Sequence, residues 1–269
     1  MTVPFENDTG NIVRKLARKS LKSEKRRNLM VVIAVALASC LICFSIVMAL
    51  STRQIEKNHV EDTYEAVYTR ITEEDVSTLK ELDDFSRVGE YYMLAVEPAE
   101  QGYNASYIYC DEETMYIARD QMKLLEGRLP QKEDEVVVSR YFLSNYGADA
   151  GIGEKVMLSS ESFHGEYTVT GIMEGYKEKE VNGSSILLSK EALKGWSGYD
   201  PADYRAYVHF KNEQQMDETE LTARSREIAK EYQLEMPIMN LSYMKFYKQP
   251  VNVSMLALVA GIAVLVIIG

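Results

Sequence analysis

At 269 residues, 46% hydrophobic and 26% charged, the chain is long enough for a membrane segment plus a domain with its own core. Thirty Lys+Arg against 41 Asp+Glu leave a net charge of −11, which disfavours nucleic acid as a partner because acidic surface repels phosphate. Only three cysteines are present, too few for a disulfide framework.

The charge is unevenly placed. Residues 1–28 carry eight basic residues (Arg14, Lys15, Arg18, Lys19, Lys22, Lys25, Arg26, Arg27) against Glu6, Asp8 and Glu24, net +5. The remainder has 22 basic and 38 acidic residues, net −16. Such asymmetry speaks of compartment. Asn11 to Arg27 reads as an amphipathic helix, with Ile12, Leu16, Ala17, Ser20 and Leu21 on one face and basic residues on the other. Such a helix suits an anionic inner leaflet; a solvated basic tail that only sets topology is the alternative.

Leu29 to Leu50, LMVVIAVALASCLICFSIVMAL, is 22 residues without a charge. As a helix it spans roughly 33 Å, enough for a hydrocarbon core of about 30 Å. The basic cluster abuts its N-terminal end, so the positive-inside rule places 1–28 in the cytoplasm and residue 51 onward outside. A cleaved signal peptide is the rival; its apolar core is usually only about 7–15 residues, although small residues near Ala49 leave cleavage open. Cys40 and Cys43 lie in the span, and Cys110 is alone outside it. The external part must then be held by packing, which suits a bacterial cell surface. Five N-x-[ST] sequons, such as that at Asn104, read as chance matches.

Residues 51–252 read as an extracytoplasmic α+β domain, entered by a charged helical stalk over 51–64. Glu65–Ile71 has a strand pattern, and Thr72-Glu-Glu-Asp75 is a capping signature opening a helix to Leu82. Arg87–Val96 and Ser106–Cys110 read as strands flanking the turn-prone stretch Pro98 to Asn104. Glu113 to Leu125 has helix formers throughout. Glu135–Val138, Lys155–Ser159, Glu166–Met173, Ser185–Leu188 and Tyr204–Phe210 are further strands, and Asp217 to Tyr232 a helix. Val253 to Gly269 is again uncharged but covers only about 25 Å. It reads as the truncated start of a second transmembrane helix; a tail anchor or a buried core helix are the alternatives.

Signals for chemistry are few. No phosphate-binding G-x-x-x-x-G-K-[ST], no G-x-S-x-G elbow and no H-E-x-x-H occurs. His59, His164 and His209 are isolated in sequence, giving no metal-ligand spacing. The acidic runs Asp111–Glu113 and Glu133–Glu135 match no calcium loop and suit solvated surface or helix N-termini. Neither catalytic residues nor a cofactor site are expected. Among 18 tyrosines, Tyr91, Tyr92, Tyr103, Tyr107 and Tyr109 cluster in the first strands. Either they form a platform for a peptide or lipid, or they are ordinary half-buried strand residues; the second reading is preferred.

One stretch is more specific: Leu124 to Gly175, LLEGRLPQKEDEVVVSRYFLSNYGADAGIGEKVMLSSESFHGEYTVTGIMEG. Gly127, Arg128 and Pro130 form an L-x-G-R-x-P turn, followed by Glu135, Val136 and Ser139 in an acidic-led apolar strand. Gly153, Val156 and Leu158 then make G-x-x-V-x-L, and Tyr167, Val169, Gly171 and Ile172 close the pattern on V-x-G-I. This spacing resembles the external core domain of MacB/FtsX-like ABC transporter permeases, in which a short helix follows the Ser. The basic Arg14–Ser20 segment is similar to that family's cytoplasmic entry, while Glu154 stands where many relatives carry Asp. The resemblance implies an integral membrane α-helical protein with a MacB-like α+β external domain, itself not an enzyme. It also implies a separate cytoplasmic ABC ATPase subunit as partner, a homodimer or second permease half, and motif residues that serve structure. The rival function is a membrane-anchored external binding or sensory module without an ATPase; an anchored surface enzyme is a minor third.

Overall fold

The computed structural model describes residues 9–23, 25–100, 102–145, 150–175 and 178–249. The chain divides into two compact units, one ending at Ile55 and one running from Glu56 to Gln249. The apolar stretch 253–269, expected as the start of a second span, lies outside the described residues.

The first unit is helical. α1 spans Thr9–Ser23 and α2 Lys25–Val60, so the helix expected over Asn11–Arg27 ends earlier and Lys25–Arg27 open the next one. The apolar stretch and the stalk expected over 51–64 share one uninterrupted helix of 36 residues, which ends at Val60, four residues before the expected end of the stalk. It is the one helix among the described residues long and apolar enough to cross a membrane, by length and composition. Leu37, Leu41 and Phe44 are each at least 60% exposed, so no protein covers them. The polar side chains inside the apolar stretch bond back to their own helix: Ser39 Oγ and Ser45 Oγ each donate at 2.8 Å to a carbonyl four residues earlier. A helix in lipid needs that internal satisfaction, since no solvent can supply it.

The second unit is a mixed sheet covered on both faces. In chain order it comprises β1 (Ala66–Ile71), α3 (Glu73–Glu81), β2 (Phe85–Pro98), β3 (Asn104–Cys110), α4 (Glu112–Ile117) and β4 (Met122–Gly127). Next come β5 (Glu135–Ser139), α5 (Arg140–Asn145), β6 (Lys155–Ser159), β7 (His164–Gly175), α6 (Glu178–Val181), β8 (Gly183–Leu188) and α7 (Lys190–Gly195). β9 (Tyr204–Phe210), α8 (Glu218–Glu231), β10 (Ile238–Met239) and α9 (Leu241–Tyr243) complete it. The strand order is β10-β1-β9-β2-β3-β8-β5-β7-β4, with β6 paired to β7 as well. One half is an antiparallel run from β10 to β3; the parallel pair β3–β8 joins it to the other half, within which β5–β7 is also parallel.

The period of two along each strand sorts side chains between two cores. Tyr68, Tyr204, Ala206, Val208, Val136, Val138, Ile186 and Leu188 pack in the larger one with Val76 and Leu79 of α3 and Leu221 and Ile228 of α8. Val67, Tyr207, Val137 and Leu187 face the other side, under Met115 and Ile117 of α4. Strands buried on both faces read as continuous apolar runs, which is why Glu135–Val138 showed no alternation.

One expectation fails. The helix expected over Glu113 to Leu125 stops at Ile117, and its second half becomes β4, an edge strand antiparallel to β7. The sequence Met122–Leu125 favours helix, but the free edge of β7 and the buried site for Met122 outweigh that weak preference. Local capping signals were faithful. Thr72 and Asp75 form a reciprocal capping box on α3, and Asp217 and Glu220 another on α8. Asp217→Ala, which deletes two bonds to backbone N–H groups, should lower unfolding stability by about 1 kcal/mol, read by denaturant titration of the chain in detergent.

Candidate functional site

The motif residues of the 124–175 stretch meet around the edge formed by β4, β5, β6 and β7. Gly127 has φ +83°, and a Cβ there would come 2.2 Å from the Thr170 carbonyl oxygen. Gly171 opposite would place one 2.9 Å from the Arg128 carbonyl oxygen. Two backbones therefore touch where β4 ends against β7, and side chains are excluded. Immediately beyond, Arg128 forks onto Glu135, its Nη2 and Nη1 donating to Oε1 at 2.7 Å and Oε2 at 2.8 Å. The Gln131 N–H donates to the same carboxylate at 2.9 Å, so the Arg–Leu–Pro turn, Pro130 included, is strapped to the start of β5. Arg128 and that N–H together hold the Glu135 carboxyl down at about 2.

The remaining motif residues pack or cap. Val136, Val156, Leu158 and Val169 are buried in the larger core, Tyr167 packs against it, and Ile172 is half-buried on β7. Ser139 Oγ accepts from Phe142 N–H at 3.0 Å, opening α5, and lies 2.7 Å from Ser184 Oγ. Gly153 has φ +90° with open space around it, and its N–H donates to the Val169 carbonyl. Glu154 accepts from Gly151 N–H at 2.7 Å, closing the same turn with a carboxylate.

A second constellation was invisible in the sequence. The end of α2, the start of β1, the end of β9 and the segment after β10 converge on buried charges. Glu65 is fully buried, accepting from Phe210 N–H at 2.8 Å and lying 2.7 Å from His209 Nδ1. The same Nδ1 lies 3.0 Å from the Thr63 carbonyl, which only accepts, so Nδ1 carries the proton. Burial pushes the Glu65 carboxyl up, against the pull of His209; for His209 burial pulls the other way, but the Glu65 contact prevails and raises it. Glu213, also buried, accepts from Tyr243 Oη at 3.0 Å and from Lys248 Nζ, which donates to the Glu213 carbonyl as well. Tyr247 stacks on Tyr243 and lies under Lys57 Nζ of α2 at 4.9 Å. Glu61 and Asp62, just past α2, offer carbonyls to Arg119. Residues 57–65 and 243–248 are thus fixed in one corner by paired charges whose disruption is costly in a dry interior.

The other singled-out groups are dispersed. His59 lies 3.3 Å from the Asp120 carbonyl and His164 3.4 Å from Ser159 Oγ, far from His209 in the chain. Among the described residues no group of three His, Cys, Asp or Glu side chains is placed to hold a metal. Asp111 caps α4, with Glu112 and Glu113 in its first turn. Tyr91, Tyr92, Tyr103 and Tyr107 are buried rather than half-exposed, and Tyr109 packs on the larger core. They form no ligand platform: Tyr107 stacks near Phe163 at 4.3 Å, Tyr103 meets Phe142, and Tyr92 Oη accepts from Asp200 N–H. Ser159 Oγ donates to Glu100 at 2.6 Å, so its hydroxyl proton is not directed at His164.

The family model of the MacB-like periplasmic core domain matches residues 29–226. Among solved structures, the extracellular domain of the noncanonic ABC-type transporter YknZ from Gram-positive bacteria is similar at 15% identity, TM-score 0.47, covering 66% of this chain and 100% of that one. A domain of a putative permease protein from Porphyromonas gingivalis is similar at 15% identity, TM-score 0.46, covering 72% and 96%. The periplasmic region of MacB from Actinobacillus actinomycetemcomitans is similar at 12% identity, TM-score 0.46, covering 69% and 91%. No curated protein matches the chain significantly.

Two measurements probe the edge. Gly127→Ala should destabilise by more than about 2 kcal/mol, because strain at positive φ adds to a backbone collision; Gly153→Ala, with strain alone, should cost about 1 kcal/mol. Equal costs would show that β4 and β7 do not approach as described. Since the Glu135 carboxyl titrates near 2 when folded and near 4.5 when free, its contribution is complete above pH 4.5 and is lost as pH falls toward 2. The unfolding temperature of Glu135→Gln should therefore vary less over that window than that of the parent.

Proposed function

Because residues 29–226 make this chain a member of the MacB-like periplasmic core domain family, we propose that it is the permease subunit of an ABC transporter rather than an enzyme. The basic residues 1–28 lie in the cytoplasm, Leu29–Leu50 cross the bacterial cell membrane, and the mixed α/β unit stands outside, as the positive-inside rule directs. The segment 253–269 begins a return span. A separate cytoplasmic ATPase supplies the energy, and two permease copies or halves carry its motion to their external domains, which export, extract or sense a peptide, lipid or antibiotic. The motif residues from Gly127 to Ile172 serve the fold.

The observation that carries this reading is the corner where residues 57–65 and 243–248 are locked together by Glu65–His209, Glu213–Lys248 and the stacked Tyr243–Tyr247 pair. Chain segments leading from both apolar stretches enter the external unit there, so displacement of either reaches one stiff point. α2 itself has no break between Lys25 and Val60 through which such a displacement would dissipate.

The test is ATP turnover by the chain reconstituted with its cognate ATPase in nanodiscs. Deleting residues 65–245 should abolish ligand-stimulated turnover while leaving the complex assembled; turnover indifferent to the deletion would reject the coupling. Membrane-impermeant maleimide should label a cysteine at Asn104 and spare one at Lys15 in intact cells. The reverse pattern would invert the topology.

A further inference from the structure

α4 and the end of β4 do not close on each other. Glu112, Met115 and Tyr116 of α4, with Arg119 in the turn just past it, look across a hollow of about 490 Å³ at Lys123, Leu124, Gly127, Arg128 and Leu129. That volume lies within the range of about 300–1,000 Å³ usual for small-molecule sites. The floor is apolar: Met115 is buried, and Leu124 and Leu129 pack on the smaller core from its edge. Tyr116 is 47% exposed on the wall, with the Arg87 and Arg119 guanidinium groups 4.4 and 5.2 Å from its ring centroid.

The charge around this floor runs against the rest of the unit. In a region of net −16, three cations and one carboxylate line the hollow. Arg128 is neutralised by Glu135. Arg119 spends its bonds mainly on the carbonyls of Glu61, Asp62 and Tyr116, which leave its charge in place; the Asp62 carboxylate is 3.8 Å away. Lys123 has no ion pair among the described residues, although Glu174 stands opposite it in the β4–β7 register. One cation without an ion pair and a second paired only at 3.8 Å, beside an apolar floor in an acidic domain, fit one chemistry.

We infer that this hollow is a binding groove for an anionic amphiphile: a single apolar chain ending in a carboxylate or phosphate. The chain lies on Met115, Leu124 and Leu129 against the Tyr116 ring, and the anion meets Lys123 and Arg119. Arg119 makes the site more than a receptacle. Its guanidinium holds the carbonyls of Glu61 and Asp62, the first residues after α2, so an anion drawing on Arg119 acts on the attachment of that helix end. Tyr64 two residues on is joined by its hydroxyl to Gln121, beside Asp120 and Lys123 on the same turn. Ligand occupancy and the set of the helix end thus share one side chain. The inference names the ligand class of the external domain proposed above and rests on that reading for its biological meaning, but binding itself requires no ATPase.

The test is photolabelling of the full chain in zwitterionic nanodiscs with a long-chain fatty carboxylate bearing a diazirine, alongside the alcohol and amine of the same chain. All three probes should label 29–50 equally, which controls for partitioning and folding. The carboxylate alone should label 112–119 and 124–129 strongly. Lys123→Glu should lower that labelling about fivefold, the scale of one exposed ion pair, and Lys123→Arg should preserve it. Lys123 is exposed, so neither variant threatens the fold. Groove labelling equal for carboxylate and amine, indifferent to Lys123→Glu, or absent while the span is labelled would each overturn the proposal. Charge-selective labelling with turnover indifferent to deleting 65–245 would keep the groove and reject the permease reading instead.

Discussion

Twenty-two consecutive uncharged residues lie on one helix, and Leu37, Leu41 and Phe44 among them are each at least 60% exposed. At about 25 cal/mol per Å² of apolar surface, leaving that helix in solvent would cost more than the whole stability of an ordinary domain. Everything else in the molecule is arranged around this constraint. Positive charge gathers on one side of it and negative charge on the other, and the helix continues beyond its apolar stretch without a break to residue 60.

The second unit carries an unusual amount of buried charge. Most interiors exclude carboxylates; here Glu65 is buried just after α2, and Glu213 is buried against Lys248, next to the last residue of the unit. Glu65 is matched by His209 and the Phe210 N–H, and Glu213 by Lys248 and the Tyr243 hydroxyl, which makes the corner specific in geometry even if apolar packing would have been as stable. A network of that kind tolerates few alternative arrangements, a property suited to passing on small displacements without slack.

The edge around β4 and β7 has the opposite character. Backbones touch at Gly127 and Gly171, the Arg128–Glu135 fork ties the turn, and the neighbouring wall stands open against α4. Gly127 and Arg128 of the motif thus line one side of the hollow. Arg119 connects this edge to the helix end, and it belongs to no sequence pattern.

Strand periods, the capping box at Thr72, the helix start at Asp217 and the uncharged span were legible from residues alone, because each is decided by neighbours within a few positions. So was the L-x-G-R-x-P pattern, whose glycine answers to a local φ. Other features were settled only by distant partners. Met122–Leu125 became a strand because β7 offered an edge, and the tyrosines of β2 and β3 became core because Phe163, Phe142 and Tyr204 lie against them. Glu65 finds His209 across 144 residues and Glu213 finds Lys248 across 35, pairings that no spacing announces. Short-range order is fixed by backbone sterics and local hydrogen bonds, whereas the placement of buried charge depends on which strands lie side by side, and that is a property of the folded sheet alone.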